Sequence, residues 1–173
     1  RFDGISGHVD VPVLDVETDQ LTIEVWINLE ELAPGGCCTS LFSPDGWQPG
    51  WLHYNLRTDN NIEFALNSGG PNNHNTEADA VPFDEWVYIA SVYDRDEAIV
   101  RTYVNGGELD VNPPDFSSPQ PVLFEVPAQV AAWEDTRFIT GLLDEFAIYD
   151  SALSEDRILA HFQAAPSTGA SLL

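Results

Sequence analysis

The chain contains no lysine and no methionine, and its cations are six arginines set against 29 acidic residues. The resulting formal charge of −23 repels nucleic acid and anionic membranes, which argues against a polyanion-binding role. It suits a secreted or cell-surface setting, extracellular or periplasmic, exposed to salt or calcium, and equally an acidic soluble domain. No apolar run approaches the length of a membrane-spanning helix, so membrane insertion is not expected. Cysteine is almost absent. Two neighbours, Cys37 and Cys38, follow Pro34-Gly35-Gly36, and without a second pair at metal-ligand spacing they do not suggest zinc. They read either as a vicinal disulfide that stiffens a loop tip and offers a flat apolar ledge, or as two free thiols. There is no internal repeat, no G-x-S-x-G elbow, no P-loop and no dinucleotide fingerprint.

At 173 residues the chain can bury about 70% of its unfolded surface, enough for one core without staples. It starts without Met, inside a strand-like Arg1-Phe2-Asp3-Gly4, and reads as a domain excised from a longer protein. Residues 1–165 are expected to form that domain, and the Ser-Thr-Gly-Ala-Ser-rich 166–173 a linker or tail.

Helical periodicity is scarce, whereas short alternating runs separated by turn residues are frequent. Strands are expected near 2–5, 8–11, 21–29, 38–43, 51–57, 61–67, 86–93, 98–104, 121–126, 137–140 and 142–149. Turns such as Ser43-Pro44-Asp45-Gly46, Asn67-Ser68-Gly69-Gly70-Pro71 and Asn105-Gly106-Gly107 separate them. The pattern predicts an all-β fold, a two-sheet antiparallel sandwich with one short C-terminal helix. Ser154 suits the N-cap of that helix, with Glu155 and Asp156 in its first turn and Ile158, Leu159 and Phe162 as an apolar stripe. The proline-rich stretch Leu109–Pro127 cannot pair fully and reads as a long connection.

The run from Gly141 to Asp150 alternates, placing Leu142, Asp144, Phe146 and Ile148 on one side. A carboxylate among apolar neighbours is costly unless capped or neutralised, so Asp144 hints at a cation. The segment Gly141-Leu142-Leu143-Asp144-Glu145-Phe146-Ala147-Ile148-Tyr149-Asp150 also resembles the closing strand of LamG-like jelly-roll domains of the concanavalin A-like lectin and glucanase superfamily. Leu21–Ile27, Glu85–Asp94 and Val100–Gly106 resemble the family's other strands in order and spacing, and together the motifs cover about Phe2 to Ala164. The resemblance implies a jelly-roll sandwich, and a structural Ca²⁺ held between Asp144 and the chain start at Asp3. Mixed carboxylate and carbonyl oxygens would meet that ion's need for six to eight ligands; the alternative is that Asp144 accepts backbone hydrogen bonds and Asp3 is merely a turn acid.

For a ligand, Trp51, His53 and Asn55 would share one strand face if Leu52, Tyr54 and Leu56 face the core. An indole, an imidazole and an amide on the open sheet form a sugar-binding set, able to stack on C–H groups and bond hydroxyls. The loop holding Asn72, Asn73 and His74 adds further polar groups, and Trp133 is a possible exposed platform, while Trp26 and Trp86 are expected in the core. Retaining glycosidases need two carboxylates about 5–5.5 Å apart, and the chain lacks an E-x-D-x-x-E strand to supply them. His53, Arg57 and Tyr103 could be assembled into a lyase site, but their spacing does not demand it. The expectation is a non-catalytic carbohydrate-binding or adhesion module, not an enzyme, joined to further domains of the same polypeptide. The alternatives are a protein-interaction spacer without glycan affinity and a divergent polysaccharide hydrolase or lyase.

Overall fold

The structure, a computed structural model, describes residues 1–66, 73–111 and 119–164. Two six-stranded antiparallel sheets dominate it. The first, sheet I, orders β1 (Phe2–Asp3), β14 (Thr140–Tyr149), β4 (Gln20–Glu31), β9 (Trp86–Asp94), β10 (Ile99–Val104) and β11 (Gly107–Val111). The second, sheet II, orders β2 (Val9–Val11), β13 (Ala128–Val130), β5 (Cys38–Pro44), β6 (His53–Arg57), β7 (Ile62–Ala65) and β8 (Asn73–Asn75). A small ladder joins β3 (Glu17–Thr18) to β12 (Val122–Leu123).

Strand alternation separates the two faces of each sheet. In β4, Leu21, Ile23, Val25, Ile27 and Leu29 enter the core between the sheets, where Leu41, Phe42, Tyr54, Leu56, Ile62 and Phe64 of sheet II meet them. A buried polar thread crosses this core: Tyr54 Oη lies 3.1 Å from Ser91 Oγ, which lies 3.0 Å from Thr102 Oγ1. The outer face of sheet I is roofed by α1 (Glu155–Ala164), whose Ile158 and Phe162 pack with Tyr88, Ala90, Val92, Tyr103 and Trp26. Under that roof the buried Glu24 accepts hydrogen bonds from Tyr88 Oη at 2.7 Å and Tyr149 Oη at 3.0 Å, with His161 Nδ1 3.0 Å from Oε2. No helix among the described residues covers the outer face of sheet II.

Strand β14 departs from simple alternation. Glu145 adopts a left-handed φ of 50°, and the register against β4 slips between Asp144 and Ala147. This bulge turns the chain by one residue, so Leu143, Phe146 and Ile148 all pack on the core while Asp144 is exposed. The placement of Asp144 among apolar neighbours is thereby corrected. Trp86, expected in the core, is 36% exposed. The expected strand 137–140 contributes only Thr140, β8 and β11 appear where a loop and a turn or connection were anticipated, and β3 and β13 lie in stretches with no expected element.

Candidate functional site

The outer face of sheet II carries polar side chains in cross-strand rows. The pairing of Tyr54 with Phe64 and Phe42 fixes Tyr54 and Leu56 toward the core, so His53, Asn55 and Arg57 point outward. Asn55 pairs with Ser40 and Glu63, and Glu63 with Asn75, which makes one row. His53 pairs with Ala65, and Ala65 with Asn73; Gln129 pairs with Ser43 and Asp10 across β13, which extends the second row. A bulge near Leu41 brings Ser40 Oγ and Ser43 Oγ to 2.7 Å.

Glu63 is 2% exposed and fully engaged: Asn55 Nδ2 donates to Oε2 and Arg57 Nη1 to Oε1, each at 2.9 Å. His53 is wholly buried, and its Nε2 lies 3.1 Å from the Gly46 carbonyl, so Nε2–H donates and Nδ1 is left as an acceptor. Desolvation pushes its pKa down to about 4, against a smaller rise from the Gly46 bond, so the ring is neutral at physiological pH. Among the described residues His53 Nδ1, Asn55 Oδ1, Asn75 Oδ1 and Trp133 Nε1 are buried without a hydrogen-bond partner.

Two loops lie over this floor. The Asp45–Gly50 turn carries Trp47, which is 45% exposed and whose ring centroid is 4.2 Å from that of His53. Residues 131–137 form the second loop, in which Trp133 and Thr136 close a two-residue hairpin through mutual backbone bonds of 2.9 and 2.8 Å. Glu134 and Asp135 supply its positive φ values of 46° and 56°, as a type I′ turn requires. Ala131 and Arg137 are also left-handed, at 71° and 54°. Four strained non-glycine residues in one short loop need outside fixation. It comes from Ser40 N donating to Arg137 O at 2.9 Å, Ala131 N donating to Leu41 O at 3.0 Å, and a weaker Gln129–Asp135 contact. The loop sets Trp133 6.0 Å from His53 and 6.2 Å from Trp47, and it places the Arg137 guanidinium 4.1 Å above the Trp133 ring. Arg137 Nη1 also donates to Cys38 Sγ at 3.3 Å, beside the vicinal Cys37–Cys38 disulfide.

The residues anticipated from sequence divide. His53, Asn55 and Asn73 share the outer face, but His53 and Asn55 form its floor and are covered. Trp51 precedes β6 instead of extending it; its ring packs on Gly46 and its Nε1 donates to Glu125 at 3.3 Å, outside the Trp47–His53–Trp133 cluster. His74 pairs with the core residue Phe64 and is fully buried on the inner side, and Asn72 lies outside the described residues. Trp47, Glu63 and Arg137 escaped the sequence reading. Trp47 sits between Gly46 and Gly50, a turn signature that could have marked it; Arg137 is flagged only by the scarcity of cations.

Asp3 and Asp144 do not fit a shared calcium. Asp3 Oδ1 accepts backbone N–H groups of Ile5, Ser6 and Gly7 at 2.9–3.0 Å, which hold its pKa well below the usual carboxylate range. It pairs with Thr140, so Asp144 lies four residues further along β14, roughly 13 Å away. Among the described residues no group of three or more His, Cys, Asp or Glu side chains could hold a metal. None of their helices is long and apolar enough to cross a membrane.

Comparison with known proteins agrees with this architecture. The Laminin_G_3 family model, described as the concanavalin A-like lectin/glucanases superfamily, matches residues 3–159. No curated protein matches the sequence. Among solved structures, domain 4 of AbnA, an extracellular GH43 arabinanase of Geobacillus stearothermophilus seen with arabinotriose, is similar at TM-score 0.69 and 20% identity, over 91% of this chain and 73% of that one. The CBM40 of a Ruminococcus gnavus IT-sialidase, bound to α2,3 sialyllactose, is similar at 0.67 and 13%, over 92% and 99%. A heptameric SAP-like pentraxin of Limulus polyphemus is similar at 0.62 and 14%, over 87% and 70%. At these identities the likeness establishes the jelly-roll fold.

Proposed function

The chain belongs to the concanavalin A-like lectin/glucanases superfamily, and from that premise we propose a non-catalytic carbohydrate-binding or adhesion module that takes glycan on the outer face of sheet II. The observation that carries the reading is the Trp47–His53–Trp133 ring cluster, set over unpartnered polar atoms on the sheet face that no described helix covers. An exposed indole stacks on sugar C–H groups, while nearby amides and the Arg57 and Arg137 guanidiniums offer hydroxyl partners. The arabinotriose and sialyllactose complexes of similar folds support a saccharide ligand. The high negative charge and the disulfide support a secreted or surface location.

Chemistry on the glycan is disfavoured by the carboxylates present. Glu63 is the buried carboxylate of this face, and both its oxygens are engaged by Asn55 and Arg57. Glu134 and Asp135 are exposed on the hairpin. Asp10 of β2 is likewise exposed, so none of the acids on this face other than the engaged Glu63 sits in the buried pocket expected of a general acid.

A shallow site should bind in the millimolar to micromolar range, about −4 to −8 kcal/mol. A glycan array followed by calorimetry is the test. Wild type should bind at least one glycan and Trp47→Ala should weaken that binding tenfold or more, while Trp51→Ala changes it less. Silence on every sugar would overturn the reading in favour of a spacer, and release of reducing ends or unsaturated products would overturn the non-catalytic assignment.

A further inference from the structure

Arg137 is out of place in a chain this acidic. Of the six arginines, Arg1, Arg57, Arg95 and Arg101 each pair with a carboxylate within 3.0 Å, and Arg157 is exposed on α1. Arg137 is half-buried and, among the described residues, contacts no carboxylate. The acids facing it are Glu63, already bonded to Arg57 and Asn55, and Glu134, exposed on the hairpin. One Nη donates to Cys38 Sγ, and the plane rests on Trp133. Stacking and a sulfur contact leave most of the guanidinium's five N–H donors unused, in a flat fork suited to two carboxylate oxygens. A partly desolvated cation without a counter-ion is costly, and a strained four-residue fixation of the loop maintains it.

We infer that the glycan taken by this face carries a carboxylate, as a uronic acid or comparable acidic sugar does, and that Arg137 receives it while the sugar ring lies on Trp47. This rests on the glycan-binding reading above and adds the ligand's chemical class. The net charge of −23 does not prevent it, because exposed acids beyond about 8 Å are screened at physiological salt whereas the Arg137 contact is direct.

The test is calorimetry with matched pairs: trigalacturonate against its methyl ester, trimannuronate against mannotriose, and 3′-sialyllactose against lactose. At least one acidic member should bind wild type tenfold or more tightly than its neutral partner. That preference should shrink as NaCl rises from about 20 to about 300 mM. Arg137→Gln should abolish the preference, the acidic member of a pair losing tenfold or more affinity beyond any loss by the neutral one, and Arg137→Lys should keep part of it. A purely structural arginine would instead move the melting temperature and both members of a pair together. If Arg137→Gln fails to fold, the Arg137→Lys comparison and the salt series carry the test. Equal binding of acidic and neutral members, or binding of neutral array glycans alone, overturns this inference and leaves the glycan reading standing. Silence on array and pairs alike overturns both.

Discussion

His53 shows how one residue can be read correctly for position and incompletely for role. Alternation in Leu52–Leu56 places it on the outer face, but nothing in that pattern tells that the Trp47 ring folds over it or that the Gly46 carbonyl accepts its Nε2–H. Its folded pKa of about 4 lies below the unfolded value near 6.5, so between those values the unfolded chain binds a proton that the folded chain refuses. Stability is therefore unaffected by this group above about pH 6.5 and falls as the pH drops toward 4, by up to roughly 3 kcal/mol. Urea titrations across that window should show the loss in wild type and a flatter profile in His53→Gln. A parallel profile in the two proteins would contradict the buried neutral ring. Asp3 acts in the same direction at lower pH: three backbone donors depress its pKa, and Asp3→Asn should lower the melting temperature at neutral pH and flatten the acid limb.

At the scale of elements, long strands were the easiest to read. Strand β4 carries regular apolar alternation and β9 a nearly continuous apolar run buried on both faces, and the Asn105-Gly106 turn between β10 and β11 has the positive φ values its dipeptide suggests. Strands β8 and β13 are three residues each and lack such a period, so pairing alone defines them. In β14 the periodicity misleads, because a left-handed Glu145 is invisible to a count of alternating residues. Gly141 serves the opposite end of that strand: its φ is 147°, and a Cβ there would collide with the Asn28 carbonyl of β4. Gly141→Ala should destabilise by more than about 1 kcal/mol, measured by chemical denaturation. The roof over sheet I depends on Glu24, whose removal strands two tyrosine hydroxyls and His161. Glu24→Ala should cost about 3–5 kcal/mol and lower helical circular dichroism earlier in the melt than the strand signal.

For the whole molecule, the jelly-roll sandwich was legible because its order of motifs spans the chain, and the family match over residues 3–159 agrees. The site was legible only in part, since its rings come from two loops that the sequence separates by more than 80 residues and only the fold joins. Charge is also a property of the whole. With −23 spread over one domain, self-repulsion opposes compaction, and raising NaCl from about 20 to about 300 mM should raise the melting temperature. Chelation is a separate matter. Because Asp3 and Asp144 stand apart, EDTA at constant ionic strength should leave the melt unchanged, and a drop would reveal calcium held by other oxygens.

The contact between Arg137 and Cys38 has a practical corollary at the bench. Dithiothreitol or a phosphine added for storage would open the bond between Cys37 and Cys38 and so alter a neighbour of the cation on which ligand choice is proposed to turn. Affinity measured after reductant and affinity measured under air could then describe two different surfaces of one protein, and thiol titration alongside each sample would tell them apart.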